Sequence, residues 1–172
     1  MCSQILLKNN FKITENFLSK KKYLNIYNAI NNEYFPWYYN NYKLNKVTNK
    51  LFDYQLTHVF YNNGAVNSTY FNIIEPLIKK LKVKTLIKIK ANLNPISQEL
   101  IEFGKHEDTP THSSYRSMIY YLNTNNGYTK IKNKKIKSKK NKALFFPSST
   151  IHQGTNSTNC NNRMVINIIY VV

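Results

Sequence analysis

Two histidines and one aspartate have the spacing of a metal site. His106 and Asp108 are two positions apart in segment 104–108, so on an extended strand both side chains point to the same face. His152 follows further along the chain. Two imidazole nitrogens and one carboxylate oxygen on one side of Fe(II) leave coordination positions free for other ligands. The residues therefore predict an iron site at His106, Asp108 and His152.

Length and composition narrow the class of protein. The 172 residues suffice for one domain with a core and are too few for two comfortable ones. Hydrophobic residues at 42% argue against disorder, and the longest apolar runs are strand-length, so we expect no membrane span. The first residues lack the pattern of a signal peptide, which predicts a cytoplasmic protein, or one in the host cytoplasm if the source is a virus. Cys2 and Cys160 are too few for a disulfide framework.

The net charge of +17 has two interpretations. A basic surface attracts nucleic acid or another polyanion. Alternatively, the abundance of Lys, Asn, Ile and Tyr reflects an AT-rich coding sequence from a cell or a virus. Arginine reads nucleic acids better than lysine does, yet the chain has only Arg116 and Arg163. We favour the compositional interpretation over a nucleic-acid partner.

Two helices are predicted in the first half of the chain. Helical spacing of apolar residues predicts one over 14–32, with Ser19 as its N-cap. The second is predicted over 68–81, and Pro76 inside it predicts a kink or a restart. Each helix has one apolar stripe that can lie on a sheet.

The segments around these helices carry many aromatic residues. Segment 34–39 is predicted to be an irregular or edge segment that packs beside a sheet, although aromatic rings can also stack on bases. Segment 51–61 is predicted to be a strand. His58 lies in its apolar row, where a packed, hydrogen-bonded histidine is favoured over a metal ligand.

From residue 83 onward the pattern changes to short strands. They are predicted at 83–93, 103–108, 116–123, 128–131, 142–146 and 163–172. In the first of them Lys88, Lys90 and Asn92 share one face and the aliphatic residues share the other. The lysine-rich run 130–142 is predicted to be a solvated edge, with a rim that attracts an anionic substrate as the alternative. Helices followed by about eight strands predict a mainly β barrel with flanking helices.

The order of these motifs resembles that of the Fe(II)- and 2-oxoglutarate-dependent dioxygenases. The family signature is His-x-Asp, a distal histidine and then an arginine or lysine. His106, Asp108, His152 and Arg163 match it in order.

Further segments resemble the prolyl 4-hydroxylase-like branch, in its small viral and bacterial form. Residues 119–123 followed by Gly127 are similar to a strand and turn of that branch, and 144–148 to its Phe-Pro segment before the distal histidine. The resemblance covers roughly residues 84–172.

The resemblance implies a fold and a reaction. The fold is a double-stranded β-helix, a jelly-roll or cupin-like barrel, in one dioxygenase domain over 1–172. Residues 1–82 would form a helical lead-in with a supporting strand, and 83–172 the barrel core with the metal site. The reaction uses Fe(II), 2-oxoglutarate and O₂, converts 2-oxoglutarate to succinate and CO₂, and hydroxylates a substrate.

The resemblance also implies roles for individual residues. Arg163 would bind the far carboxylate of 2-oxoglutarate, because a guanidinium stays charged and pairs with a carboxylate through two hydrogen bonds. Tyr121 would complete that pocket, with Ile119 beside it. Asn92 is a candidate for binding the C1 carboxylate.

The substrate and the oligomeric state are left open by the sequence. A peptide, an amino acid or another small molecule is compatible with the family. The loops at the barrel mouth, predicted at 34–50, 94–102 and 109–115, would choose it. His112 in the last loop is either on the substrate side or simply exposed. The alternatives are a basic nucleic-acid-binding β-barrel module and a catalytically silent barrel of the same fold.

Overall fold

The computed structural model describes residues 11–43, 54–109 and 114–172. Within these ranges there are two helices, α1 (Lys20–Ile30) and α2 (Phe71–Leu81). The strands are β1 (Lys12–Thr14), β2 (Tyr38–Asn40), β3 (Gln55–Asn62), β4 (Ala65–Val66), β5 (Thr85–Pro95), β6 (Tyr115–Tyr121), β7 (Tyr128–Ile131), β8 (Lys134–Lys137), β9 (Lys142–Pro147), β10 (His152–Gly154) and β11 (Asn162–Val171). The start of the predicted strand at 51–53 and His112 lie outside the described residues, as do parts of the predicted mouth loops.

The strands form two antiparallel sheets. The main sheet has the order β1-β9-β6-β11-β5-β3-β2, with β4 paired to β3. The smaller sheet has the order β10-β7-β8. This mainly β architecture with two helices is the predicted double-stranded β-helix, and that prediction is confirmed.

The helices cover one face of the main sheet. Ile26 of α1 and Leu77 of α2 are fully buried, and they belong to one apolar cluster with Ile89 and Ala91 of β5. Since side chains alternate along a strand, Lys90, which lies between these two, points to the opposite face, as do Lys88 and Asn92. That face of the main sheet looks into the barrel.

A second apolar cluster closes the barrel between the two sheets. It contains Ile119, Tyr121, Ile131, Ile136, Leu144, Phe146 and Val165. At the outer edge of the small sheet, β8 exposes its lysines to solvent. This is the solvated edge predicted for the lysine-rich run.

Both helices are shorter than predicted. α1 begins after Ser19, whose hydroxyl accepts a hydrogen bond from the Lys22 amide at 3.5 Å, as predicted for an N-cap. The predicted start at residue 14 is wrong because 12–14 pair with β9, and strand pairing satisfies their backbone groups. α2 starts at Phe71 and continues through Pro76 without a restart. No helix in the described ranges is long and apolar enough to span a membrane.

The aromatic segment before β2 packs on the main sheet. Phe35 is buried, and its ring centroid lies 4.5 Å from that of His58 and 5.1 Å from that of Tyr70. Tyr38 and Tyr39 on the edge strand β2 are exposed. The predicted packing role is therefore confirmed for Phe35.

His58 is a packed histidine, as predicted. Its Nδ1 lies 2.8 Å from the Pro36 carbonyl and its Nε2 2.7 Å from the Ser68 hydroxyl. A neutral ring satisfies both partners by donating from Nδ1 and accepting at Nε2. Burial lowers the pKa of His58, and the hydrogen bond to Pro36 opposes this effect.

This lowered pKa makes the stability depend on pH. The unfolded chain binds a proton near pH 6.5, whereas the folded chain binds it only at lower pH. The stabilisation is therefore complete above that value and is lost as the pH falls through the folded-state pKa. We expect the melting temperature of wild type to fall between pH 7.5 and pH 5.5 by more than that of His58→Gln. Ser68→Ala, which keeps the imidazole, should retain the pH dependence; equal slopes for wild type and His58→Gln would contradict the assignment.

Candidate metal centre

The three predicted ligands come together at one end of the barrel. His106 and Asp108 lie on segment 101–109 after β5, and His152 is the first residue of β10. The predicted regular strand over 103–108 is wrong. This segment pairs with the rest of the barrel only through isolated bridges, at Glu102–Thr155 and at His106–His152. β10 has only three residues, so it is too short to form a longer ladder with segment 101–109.

The two histidines are held side by side by their backbones. The His106 amide donates to the His152 carbonyl, and the His152 amide donates to the His106 carbonyl, both at 3.0 Å. Their ring centroids are 4.3 Å apart. The Asp108 amide donates to the Ser148 carbonyl at 2.9 Å, which fixes the third residue.

The side-chain atoms of the triad converge on one point. The Asp108 Oδ1 lies 4.0 Å from the His106 Nε2 and 3.9 Å from the His152 Nε2. One ligand atom from each residue falls within 4.8 Å of the other two. His152 is buried, whereas the His106 side chain is 33% exposed, so the cluster is open on the side of His106. Two nitrogens and one oxygen in this arrangement could hold a metal ion with positions left open.

Neighbouring groups orient each ligand. The Nδ1 of His106 lies 3.3 Å from the Gly104 carbonyl, and the Nδ1 of His152 lies 2.9 Å from the Thr150 carbonyl. A carbonyl accepts from an N–H, so each Nδ1 carries the proton and each Nε2 keeps its lone pair for a metal. The Ser117 hydroxyl donates to the Asp108 Oδ2 at 2.5 Å.

The histidine ring at the open side is biased toward its neutral form. Burial is the largest cause that lowers the pKa of His106, and His152 lowers it further, whereas Asp108 raises it. Only a neutral imidazole has a nitrogen lone pair for a metal. The surroundings of His106 therefore favour metal binding at neutral pH.

The triad opens into a cavity of about 890 Å³. Its opposite wall is the barrel-facing side of β5 and β11, which run antiparallel with Arg163 opposite Asn94 and Val165 opposite Asn92. Ile119 of β6 also lines it, as expected from the resemblance. The cavity therefore connects the triad with the predicted arginine.

Arg163 lies buried at the inner end of this cavity with a relative exposure of 3%. Its Nε donates to the Ser138 hydroxyl at 2.8 Å and its Nη2 to the Thr129 hydroxyl at 3.1 Å. No Asp or Glu of the described ranges forms an ion pair with it. Burial lowers the pKa of Arg163, but a guanidinium remains charged at neutral pH. A buried cation without an acidic partner indicates an anionic ligand, because an uncompensated charge is costly to bury.

Gly127 makes room for the arginine side chain. A Cβ at this position would lie 2.6 Å from the Arg163 Cδ and 2.3 Å from the Asn156 carbonyl oxygen. Both distances are too short for van der Waals contact. Glycine therefore allows the chain just before β7 to lie directly against the aliphatic part of the Arg163 side chain.

Tyr121 and Asn92 lie on the two strands beside β11, each opposite Val165. Tyr121 is fully buried, its ring centroid is 5.7 Å from the Arg163 guanidinium carbon, and its hydroxyl donates to Thr129 at 2.8 Å. Burial raises the pKa of Tyr121 to about 12, so the hydroxyl keeps its proton. Asn92 lines the cavity, and its buried Oδ1 has no hydrogen-bond partner in the described part of the chain. Asn94 and Asn167 also have a buried Oδ1 of this kind, so this wall has unused acceptors.

Several residues of the site were not found from the sequence. Ser117, Thr129 and Ser138 are isolated polar residues whose roles depend on contacts between strands that are distant in the sequence. Lys88 and Lys90 line the cavity. The alternating pattern had placed these lysines on one face with Asn92, but it did not show that this face looks into the barrel.

The comparisons with known proteins agree with this geometry. Residues 97–171 match the sequence profile of the 2OG-Fe(II) oxygenase superfamily. A search of curated protein sequences found no match.

Solved structures with the same fold include two prolyl hydroxylases. A prolyl hydroxylase from Trichoplax adhaerens, in complex with a peptide fragment of the hypoxia-inducible factor oxygen degradation domain, is 18% identical with a TM-score of 0.70. The alignment covers 95% of this chain and 84% of that one. The viral collagen prolyl hydroxylase of Paramecium Bursaria Chlorella virus-1, in its 2OG complex, is 15% identical with a TM-score of 0.62, and 96% and 97% of the two chains are covered.

A third structure is not a hydroxylase by its name. The non-haem α-ketoglutarate-dependent epimerase SnoN from nogalamycin biosynthesis is 12% identical with a TM-score of 0.61, and 95% of this chain and 77% of that chain are covered. At such identities the likeness shows the fold alone. Residues 97–171 carry the sequence profile of the 2OG-Fe(II) oxygenase superfamily, which indicates an oxidoreductase that uses Fe(II), 2-oxoglutarate and O₂, and the His106, Asp108 and His152 triad could form the iron site.

Proposed function

We propose that this protein hydroxylates a peptide, an amino acid or another small molecule and releases succinate and CO₂ from 2-oxoglutarate. His106, Asp108 and His152 bind the iron, and Arg163 binds the far carboxylate of 2-oxoglutarate. The observation that carries the proposal is the position of Arg163. Its buried guanidinium, without an acidic partner among the described residues, lines the same cavity as the triad.

The residues present fit both groups. The triad offers two nitrogens and one carboxylate oxygen, each held by a hydrogen bond on its far side. Bound iron supplies the redox chemistry that couples decarboxylation of 2-oxoglutarate to oxidation of a C–H bond. One oxygen atom of O₂ enters succinate and the other enters the product hydroxyl group.

The chain itself binds and orients the cosubstrate. Arg163 pairs with the far carboxylate while Ser138 and Thr129 hold the guanidinium in place. Tyr121 fixes the Thr129 hydroxyl by donating a hydrogen bond to it. Ile119 supplies an apolar wall that excludes water. Asn92 lies on the same wall and is assigned to the C1 carboxylate, which its amide group can bind.

We assign the whole chain to one dioxygenase domain. Residues 83–172 form the barrel core with the metal site, and 1–82 form the helical lead-in, with four supporting strands, β1 to β4, in place of the one expected. The contacts of α1 and α2 with the main sheet support this division, since the helices pack on the face that does not look into the cavity. Their role is to hold β5 and β6 in place.

The descriptions of the similar structures support this range of substrates. One of them holds a peptide fragment, and another belongs to the biosynthesis of a small natural product. The cavity here is large enough for either an extended side chain or a small molecule in addition to the cosubstrate.

The test is a titration of the anaerobic Fe(II) protein with 2-oxoglutarate. We expect a weak visible charge-transfer band that saturates at one equivalent, followed by succinate formation when O₂ is admitted. Absence of both the band and succinate in a folded, iron-loaded sample would overturn the proposal.

The Ser117→Ala substitution probes the orientation of the aspartate ligand. Loss of the hydroxyl removes the hydrogen bond to the Asp108 Oδ2, and changes of this kind cost about 10- to 100-fold in metal affinity. We expect a drop in that range in a Mn(II) titration followed by electron paramagnetic resonance. Ser149→Ala, at an exposed serine nearby, is the matched control and should bind as wild type does. Equal affinities for the two variants would show that Ser117 does not orient the ligand.

A further inference from the structure

The cavity wall carries more positive charge than the binding of 2-oxoglutarate needs. Among the described lining residues, five are cationic and two are acidic: Lys43, Lys88, Lys90, Lys105 and Arg163 against Glu107 and Asp108. Fe(II) and the 2-oxoglutarate dianion carry opposite double charges, so together they leave this excess unchanged. After loading, Lys88 and Lys90 remain as cations of this wall to which neither iron nor 2-oxoglutarate has been assigned.

Two of these cations are lysines of β5. Lys88 and Lys90 are two positions apart on the barrel-facing side of the strand, and both are half-buried. Their backbones pair with β3 and β11, but neither ammonium group makes a hydrogen bond or an ion pair with another residue of the described ranges. Lys90 lines the same cavity as the three residues of the triad, and Asp108 and His152 are among its lining neighbours. Two half-buried cations without partners favour an anionic ligand.

The strand register separates these lysines from the cosubstrate pocket. Arg163 is opposite Asn94, and Lys88 is six residues before Asn94 on the same strand. Six residues of a strand span about 20 Å. The five-carbon chain of 2-oxoglutarate spans about 5 Å between its end carbons, with bonds of about 1.5 Å. Lys90 is four residues before Asn94, a span of about 13 Å, so along the wall a cosubstrate anchored at Arg163 is too short to reach the strand position of either lysine. The lysine pair therefore borders the space left for the substrate.

We propose that the substrate carries an anionic group, a carboxylate or a phosphate, which binds between Lys88 and Lys90 and so places the C–H bond to be oxidised next to the iron. This inference rests on the proposed function, because it needs the iron and 2-oxoglutarate in the positions given above. It narrows the substrate from any peptide or small molecule to acidic ones. Lys88 and Lys90 are then specificity-determining residues. They did not stand out in the sequence, because lysine is abundant throughout the chain.

The inference can be tested without knowing the substrate. The protein is loaded anaerobically with Mn(II) and 2-oxoglutarate, and two probes are added in separate samples: inorganic phosphate, observed by ³¹P relaxation, and ¹³C-labelled acetate, observed by ¹³C relaxation. Paramagnetic Mn(II) accelerates the relaxation of a probe bound near it. We expect acceleration of at least one probe, and a drop of at least fivefold in the Lys88→Gln/Lys90→Gln variant. The probe that responds identifies phosphate or carboxylate as the anionic group.

A matched control and the opposing outcomes make the test decisive. Lys137→Gln removes an exposed lysine on β8, away from the cavity, and should relax the probes as wild type does. Acceleration that does not depend on Lys88 and Lys90 would overturn the inference, since it would reflect direct binding to the metal. So would a loss of 2-oxoglutarate affinity of tenfold or more in Lys90→Gln, because that would assign Lys90 to the cosubstrate. Failure of Mn(II) and 2-oxoglutarate to bind at all would instead remove the proposed function, and this inference with it.

Discussion

The Asp108→Ala variant is expected to form no detectable succinate from 2-oxoglutarate. The substitution removes the only carboxylate of the triad, and with it the negative charge that balances part of Fe(II). Loss of a partner that merely orients a ligand costs about 10- to 100-fold in metal affinity, so loss of the ligand itself should cost at least about 100-fold. The measurements are Fe(II) affinity and succinate formation, each compared with wild type at the same iron concentration.

The adjacent carboxylate provides the control for this variant. Glu107→Ala removes a charge of the same sign one position away, and Glu107 is not a member of the triad. This variant should keep its affinity for Fe(II) within about threefold, because at this distance the effect is a screened Coulomb interaction. If Asp108→Ala bound iron and formed succinate as well as Glu107→Ala does, the triad would be assigned incorrectly.

The second large effect is expected from Arg163→Met. Removing one partner of a buried, hydrogen-bonded charge pair costs about 2–5 kcal/mol, which corresponds to at least about 30-fold weaker binding of 2-oxoglutarate. Methionine occupies a similar volume without a charge, so the cavity keeps its shape. The charge-transfer titration measures the dissociation constant directly. Arg116→Met, at the other arginine and outside the cavity lining, should leave the affinity for 2-oxoglutarate as in wild type.

The same variant should behave differently without the ligand. In wild type the buried guanidinium has no acidic partner among the described residues, so the apo protein bears a desolvation cost that methionine avoids. We therefore expect the melting temperature of apo Arg163→Met to equal or exceed that of apo wild type. A large fall in the apo melting temperature together with unchanged 2-oxoglutarate affinity would show that Arg163 serves the fold rather than the cosubstrate.

The metal ligands and the arginine could be predicted because their order along the chain is informative. His106 and Asp108 are two positions apart, and His152 and Arg163 follow at spacings that match a family signature. The strands before and after the metal ligands were predicted from the alternation of apolar and polar residues, which can be read directly from the local sequence. The irregular backbone at 101–109 was not, because its conformation depends on bridges to β10 rather than on local propensity.

The supporting residues could not be predicted for a related reason. Thr129 and Ser138 meet Arg163 only after β7, β8 and β11 have assembled, and a lone Thr or Ser has no distinguishing local pattern. The lysines of β5 show a different obstacle. A polar strand face normally indicates solvent, but at a functional cavity the polar face is the inner one, and local alternation does not distinguish the two cases.

The reciprocal amide–carbonyl pair between His106 and His152 has a consequence for how the metal binds. The two histidines are 46 positions apart in the chain, yet backbone hydrogen bonds of the protein itself join them. Folding bears the entropy cost of closing that long loop, so this cost does not weaken metal binding. Such a barrel gains stability from iron by mass action alone, by about 2.7 kcal/mol at a free ion concentration of one hundred times the dissociation constant. We therefore expect the barrel to keep its strands in the presence of a chelator, unlike a zinc finger, which unfolds when its metal is removed.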